Sequence, residues 1–428
     1  MRCAVIKSSR FFLEKYGMLP ELVDPSLCSD MICEDMKKGL AGEHSFMPMI
    51  PTYLVNDGAV PKDEAVIVID AGGTNFRCAL LRFTDSGYEL EGLKKCLMPG
   101  INEPTTWDEF ISFVADMILP FAGRTDKIGF CFSYEAEITP DIDGRVVVID
   151  KEVVIRGSEG KLVGKSLSDE LARRGYPGKR VVVLNDTAAV LLGGSASIDK
   201  NIYSTFIGHV SGTGTNCCCI VPMKQISKLS SSVDKNIIVN MEAGLYGGVP
   251  KGYFDELLDS ESHNPGSKII EKQTAGVYLG ELVHLMIDKA AEDGIISGET
   301  VRKLKSEGKI SSALIDSWAF GNGLNKIFSA TDEAEFVKDI SLSVIDRSAR
   351  CMCSLLLAIA KCTGRGGEGD KPICDFAEGS LVQKSLNYRP LLEKYLAEYG
   401  EKTGKIIKLL IGSDSTLPGA GAAALLNN

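Results

Sequence analysis

Three short stretches hold the residues whose types could do chemistry: IDAGGTNFR at 69–77, VLNDT at 183–187 and SGTGTN at 211–216. A glycine pair followed by a hydroxyl brings backbone N–H groups and a side-chain donor onto an anion. Gly72, Gly73, Thr74 and Asn75 can therefore cradle phosphate oxygens, with Arg77 offering them a planar fork. Gly72 and Gly73 also allow a positive φ without strain, should the turn need one. Asp70 ends an apolar run, where a carboxylate can hold a water of a magnesium ion. Gly212, Thr213 and Gly214 repeat the arrangement and can hold the remaining phosphates of one nucleotide. Asp186 follows the buried run VVVL beside Asn185, so it emerges at a strand end as a general base able to take a proton from an attacking alcohol. The plainer alternatives are a tight turn beside a solvated arginine, and a helix capped by Asp186 or Thr187.

The elements that position these residues follow from hydrophobic period. AVIVID, NFRCALLRF and GYELEGLKKCLM alternate as three consecutive antiparallel strands, so GGT joins two strands. A dinucleotide-binding turn would open a helix instead. TTWDEFISFVADMILPFA reads as helix, KIGFCFSYEA as strand, RVVVIDKEVVIRG as strand and loop, and KSLSDELARRG as helix. YSTFIGHV, TNCCCIVPM and NIIVNMEAG then repeat the strand, turn, strand, strand unit about 140 residues further on. Helices near 268–290, 332–362 and 381–400 follow, then a strand in IIKLLIGSDS and a glycine-rich turn, PGAG, into a last helix. Residues 1 to about 60 read as helices closed by an extended connector. Two similar units result, each offering one phosphate-sized turn to a cleft between them.

Composition narrows the function. With 428 residues and 44% hydrophobic content the chain can bury the cores of two or three domains. A net charge of -10, without a basic run, excludes a surface built for nucleic acid. The N-terminus lacks a secretory pattern, and the longest apolar run, around CMCSLLLAIA, falls short of the roughly 20 residues that a membrane-spanning helix needs. The expected location is the cytoplasm, with no membrane partner. Thirteen cysteines and four histidines show neither paired CxxC units nor HExxH. They read as free thiols rather than zinc ligands or disulfides, with neighbours in NCCCIV on opposite faces of a strand.

Taken in order, GLAG, MPMIPTYLV, IDAGGTNFR, GFCFSYE, DKEVVIRGSEG, VLNDT, GHVSGTGTNCC, IVNMEAGLYGG, HNPGSKIIEKQTAGVYLGEL, AEGSL and PGAGAAA resemble the hexokinase family of the actin-like ATPase superfold, in a single-unit, bacterial-type form. The resemblance implies an α/β fold of two actin-like (ribonuclease H-like) domains, each with a mixed sheet, flanking a cleft. The small domain would span 62–200 and the large domain 1–61 and 201–428, with the last residues free to return to the small one. ATP with Mg2+ would be the donor and a hexose, glucose first, the acceptor at its 6-hydroxyl. Carried over residue by residue, Asp186 is the base, with Lys151 and Arg77 as the other catalytic groups. Ser133, Asp150, Lys151, Asn185, Asn216, Glu242 and Glu271 contact the hexose with Asp186. Asp70, as metal site through water, joins the two turns, Asn75 and Arg77 around the nucleotide, with Gly379 and Ser380 on its adenosine side. Rigid carboxylates and amides suit a ring of hydroxyls, since an analogue lacking one leaves a buried group unpaired.

The chain departs from the family at several positions. Glu135 stands in place of a proline, and Asp150 in place of the threonine before the lysine. When ionised, Asp150 accepts a hydrogen bond but cannot donate one. Ala243 replaces an aromatic residue and is expected to leave space beside the sugar. His209 occupies an apolar position, and SDSTLPGAGAAA replaces a shorter glycine-serine-glycine pattern. Two other readings stand beside a glucose kinase: a kinase for mannose, fructose or an amino sugar, or with another phosphoryl donor, and a sugar sensor without catalysis. Asp70, Asp186 and both glycine turns speak against the sensor. The sequence assigns no oligomeric state.

Overall fold

A computed structural model describes residues 2–149, 153–328 and 330–427. Five strands, Val66–Ala71 (β1), Asn75–Thr84 (β2), Gly87–Leu97 (β3), Lys127–Phe132 (β4) and Arg180–Leu184 (β5), form one sheet in the order β3-β2-β1-β4-β5. The β1, β2 and β3 pairings are antiparallel, and β1 to β4 and β4 to β5 are parallel. Thr205–Ser211 (β6), Thr215–Pro222 (β7), Asn236–Asn240 (β8), Ile373–Glu378 (β9) and Ile407–Ile411 (β10) repeat that order as β8-β7-β6-β9-β10. Ile50–Pro51 adds a short antiparallel edge outside β8. The repeat legible in the sequence is thus a repeat of topology. Every residue of β1 is buried, as its unbroken VIVIDA run demands of a central strand covered on both faces.

Two helices, Asp186–Ala196 and Thr416–Leu426, lie between the sheets. Their core joins Val68 and Leu81 of the first sheet to Phe206, Ile238 and Phe376 of the second. The approach is close enough to dictate residue size. A Cβ at Gly129 in β4 would stand 1.9 Å from the Ala420 carbonyl oxygen, and one at Gly419 would stand 2.0 Å from that of Ala189. This corrects the expected PGAG turn: the helix begins at Thr416 and PGAG lies inside it. Pro418 is tolerated because first-turn N–H groups need no intrahelical acceptor, and the small residues serve packing rather than turning.

The other face of the second sheet is covered by Thr331–Thr363, whose middle turns are almost entirely buried. Cys217 and Cys219 join this core, whereas Cys218 faces the inter-sheet core, as alternation in a strand requires. Twelve cysteines among the described residues are free thiols, and most are buried. The helical run expected over 268–290 is broken into Ile269–Thr274 and Gly276–Glu292. The break has a cause: the Gly276 N–H donates to the Gly212 carbonyl at 2.8 Å, tying the second helix to the 211–214 turn.

Candidate active site

Both glycine turns are tight. The Gly72 N–H donates to the Asn75 carbonyl and the Gly212 N–H to that of Gly214, each at 3.0 Å. None of Gly72, Gly73, Gly212 and Gly214 lies at positive φ, so that torsional freedom goes unused here. Space is what requires glycine. A Cβ on Gly212 would meet the Ser380 nitrogen at 3.2 Å, and one on Gly214 would meet Glu271 Oε2 at 3.1 Å. The torsional need falls instead on Gly379, at φ +117°, where a Cβ would stand 2.3 Å from the Ser211 carbonyl oxygen. The 211–214 turn and the 378–380 loop therefore touch backbone to backbone. Thr74, Asn75, Thr213 and Ser380 are exposed around them.

Arg77 is not the open fork the sequence suggests. Its Nε and Nη2 donate to Asp70 Oδ2 at 3.0 and 2.6 Å, Nη2 also reaches Thr416 Oγ1 at 2.6 Å, and Nη1 pairs with Asp414. Thr416 Oγ1 donates to Asp70 Oδ2 at 3.1 Å. Burial pulls the Arg77 pKa down, but the Asp70 and Asp414 carboxylates outweigh it and hold the guanidinium charged. The arginine thus orients the carboxylate at the end of β1.

At the end of β5 the helix cap is Asn185, not Asp186 or Thr187. Asn185 Oδ1 accepts from the Ala188 N–H at 3.1 Å, and its amide donates to Thr187 Oγ1 at 2.8 Å. Asp186 is left in the first helical turn, half-buried, with Oδ1 accepting from the Thr187 N–H at 2.8 Å. A carboxylate there is favoured by the helix dipole.

Across the cleft, Asn216 and Glu242 belong to one relay. Asn216 Oδ1 accepts from the Ala243 N–H at 3.0 Å and its amide donates to Asn240 Oδ1 at 2.9 Å. The Asn240 amide in turn donates to Glu242 Oε1 at 2.6 Å. Glu242 sits at φ +54°, a left-handed conformation that only a surrounding lattice of contacts maintains in a long side chain. Its pKa is raised, chiefly by burial. The Asn240 hydrogen bond opposes the rise, while the negative charges of Asp186 and Glu135 add to it. Glu271 Oε2 accepts from the Thr215 N–H at 3.1 Å, which ties Glu271 to the second turn.

A small cavity of about 30 Å³ is lined by Asn185, Tyr134 and Glu135 from one side and by Thr52, Asn240 and Glu242 from the other. Ser133 follows β4, its N–H on the Ala71 carbonyl at 3.1 Å. Asn240, Tyr134 and Thr416 were not singled out in the sequence, yet each orients or borders a residue that was. Tyr134 donates its hydroxyl to the Gly72 carbonyl at 2.8 Å, so it touches both the first turn and the cavity. Asp150 and Lys151 lie outside the described residues. Ala243 is fully buried in the core, so it opens no space beside the cavity. A larger concavity of about 1210 Å³ between the helix Tyr388–Thr403 and β10 contains none of these groups. Chemistry, not volume, locates the site.

The doubled five-stranded topology is that of the actin-like ATPase superfold. A solved hexokinase from Schistosoma mansoni complexed with glucose has a similar fold, with TM-score 0.74 and 21% identity over 97% of this chain and 99% of that one. A second hexokinase crystal structure gives a TM-score of 0.80 at 20% identity, covering 98% and 99%. The chain belongs to the hexokinase family: two family models, each described as hexokinase, match residues 26–196 and 206–426. It is a sugar-phosphorylating enzyme. Hexokinase-7 of Oryza sativa subsp. japonica is 28% identical over 91% of this chain and 90% of its own length. A glucokinase of Aspergillus niger is 26% identical over 92% and 91%. Among the described residues no helix is long and apolar enough to cross a membrane.

Proposed function

We propose that the chain transfers the γ-phosphoryl group of ATP to the 6-hydroxyl of a hexose, glucose in the first place, at the strand ends where residues of the two sheets meet. The observation that carries this reading is the convergence of Asn185 from the first sheet with Asn240 and Glu242 from the second, near enough to Asp186 for its charge to act on Glu242. A solved relative by fold is a complex with glucose, and another, a glucokinase from Streptomyces griseus, is a complex with glucose and AMPPNP.

Asp186 accepts the proton of the 6-hydroxyl as it attacks. Asn185, Glu242 and Glu271, with Ser133 and Asn216, hold the other hydroxyls so that the attack is in line. The turns at 72–74 and 212–214 and the loop at 378–380 hold the nucleotide, and Arg77 keeps Asp70 turned to the phosphates. Among the described residues no group of three or more His, Cys, Asp or Glu could hold a metal ion. Asp70, a carboxylate at the end of β1, would hold Mg2+ through a water, with the donor's phosphates supplying its other ligands. When bound, the ion neutralises charge on the transferring group. Residues 62–200 with the last helix form one lobe and the rest the other. Their closure excludes water, which would compete as acceptor.

Glu242→Gln tests the sugar side. Losing a charged acceptor for a hydroxyl is expected to raise the hexose KM about tenfold or more. An unchanged KM would remove Glu242 from the pocket. The same variant has a stability signature. The folded carboxyl holds its proton more tightly than the unfolded one, so the site costs stability as pH rises above the ordinary carboxylate range, and costs least below it. Glu242→Gln is therefore expected to gain Tm at pH 8 and to gain less at pH 5. A lower Tm at pH 8 would contradict the sign.

A further inference from the structure

His209 lies inside β6, two residues before the 211–214 turn and on the same face as the core residue Ile207. Its Nδ1 is 3.1 Å from Asp375 Oδ2 on the neighbouring β9, and both side chains are fully shielded from solvent. Next toward the turn, Ser211 Oγ and Tyr388 Oη are 3.0 Å apart and equally buried. Among the described residues, His209 Nε2 and Asp375 Oδ1 have no hydrogen-bond partner. Polar atoms left so in a core are costly, and the surrounding Ile207, Cys217 and Ala377 show that apolar side chains suit this layer. With Asp375 as the acceptor, the Nδ1–H of His209 is the donor of the pair.

What lies above the pair gives this cost a use. β6 and β9 run parallel, His209 opposite Ala377 and Val210 opposite Glu378. They end in the 211–214 turn and the 378–380 loop, whose backbones meet at Ser211 and Gly379. We propose that His209 and Asp375 are positioning residues for the nucleotide: their cross-strand hydrogen bond adds a side-chain tie to the backbone ladder of β6 and β9, and so holds in place the two loops that receive the donor. This rests on the nucleotide reading of those loops.

Four variants of the full chain test it by Tm and by the separate KM values for ATP and hexose. His209→Leu and Asp375→Val alone are expected to lower Tm, because each strands a buried polar partner. The double variant, with an apolar pair, is expected to regain most of that Tm while its KM for ATP rises about fivefold or more, the size of one lost hydrogen bond. Its hexose KM should stay within about twofold, a split that a purely structural pair would not produce. Asp375→Asn, which keeps an acceptor for Nδ1–H, is expected to hold the ATP KM of the unmodified protein. An ATP KM in the folded double variant within about twofold of the unmodified protein overturns the proposal. Should the double variant not fold, equal ATP KM values for Asp375→Asn and Asp375→Val would overturn it as well. Absence of hexose-dependent ADP formation in the unmodified protein would strike the nucleotide reading itself, not the pair.

Discussion

Asp186→Ala is expected to lower kcat by at least about 10²-fold, the range for a lost general base, while the hexose KM changes far less. The helix it opens should survive, since Asn185 is the cap and its bonds to Ala188 and Thr187 do not involve Asp186. Among its described contacts, the acceptor for the Thr187 N–H is lost. Asp186→Asn keeps an oxygen for that N–H but cannot take a proton at neutral pH, so it should lose activity to the same degree. Coupled ADP formation measures both, with Tm as the check on folding. A kcat close to that of the unmodified protein in either variant would take Asp186 out of the chemistry.

Gly379→Ala carries the second large effect. The residue holds φ +117° and ψ +154°, a region essentially confined to glycine, and the new Cβ would stand 2.3 Å from the Ser211 carbonyl oxygen. Backbone strain and overpacking are each worth about 1–3 kcal/mol, and the cheapest relief is to push the 378–380 loop away from the 211–214 turn. A displacement of about 1 Å between groups that position a reactant can cost about 10²-fold. The expected result is such a fall in kcat/KM for ATP with the hexose KM retained. Gly298→Ala is the control: it starts an exposed helix, and its Cβ would meet nothing within 4 Å. If Gly379→Ala behaved like Gly298→Ala in the same titration, these two loops would not be the nucleotide cradle.

The sheets were legible because their signal is local. Alternation ends at GGT and SGTG, so the two antiparallel units and the shared topology follow from period and turn chemistry. NCCCIV splitting its thiols between two cores is the same rule at work. Functions that depend on distant partners were not legible. Arg77 looks like a phosphate fork until Asp414 and Thr416, more than three hundred residues on, are seen beside it. PGAG looks like a turn because glycine and proline usually punctuate. Here they thin a helix wedged between two sheets, where Gly419 lies on Ala189 and Gly421 beside Val68 and Leu81. Asn240 had a usable signal. Asn216 and Asn240 end adjacent strands whose register sets Cys218 opposite Asn240, bringing the two amides within reach. His209 could not be explained without Asp375, and nothing in the spacing of the two announces the pair.

The most direct test of phosphoryl transfer to a hexose is ADP formation from ATP and Mg2+ with glucose and with 6-deoxyglucose at equal concentration. Turnover with glucose, none with the 6-deoxy sugar, and loss of the signal in Asp186→Ala is the predicted result. ADP formation at the same rate with both sugars, or without any sugar, would contradict transfer to the 6-hydroxyl and the part assigned to the cleft.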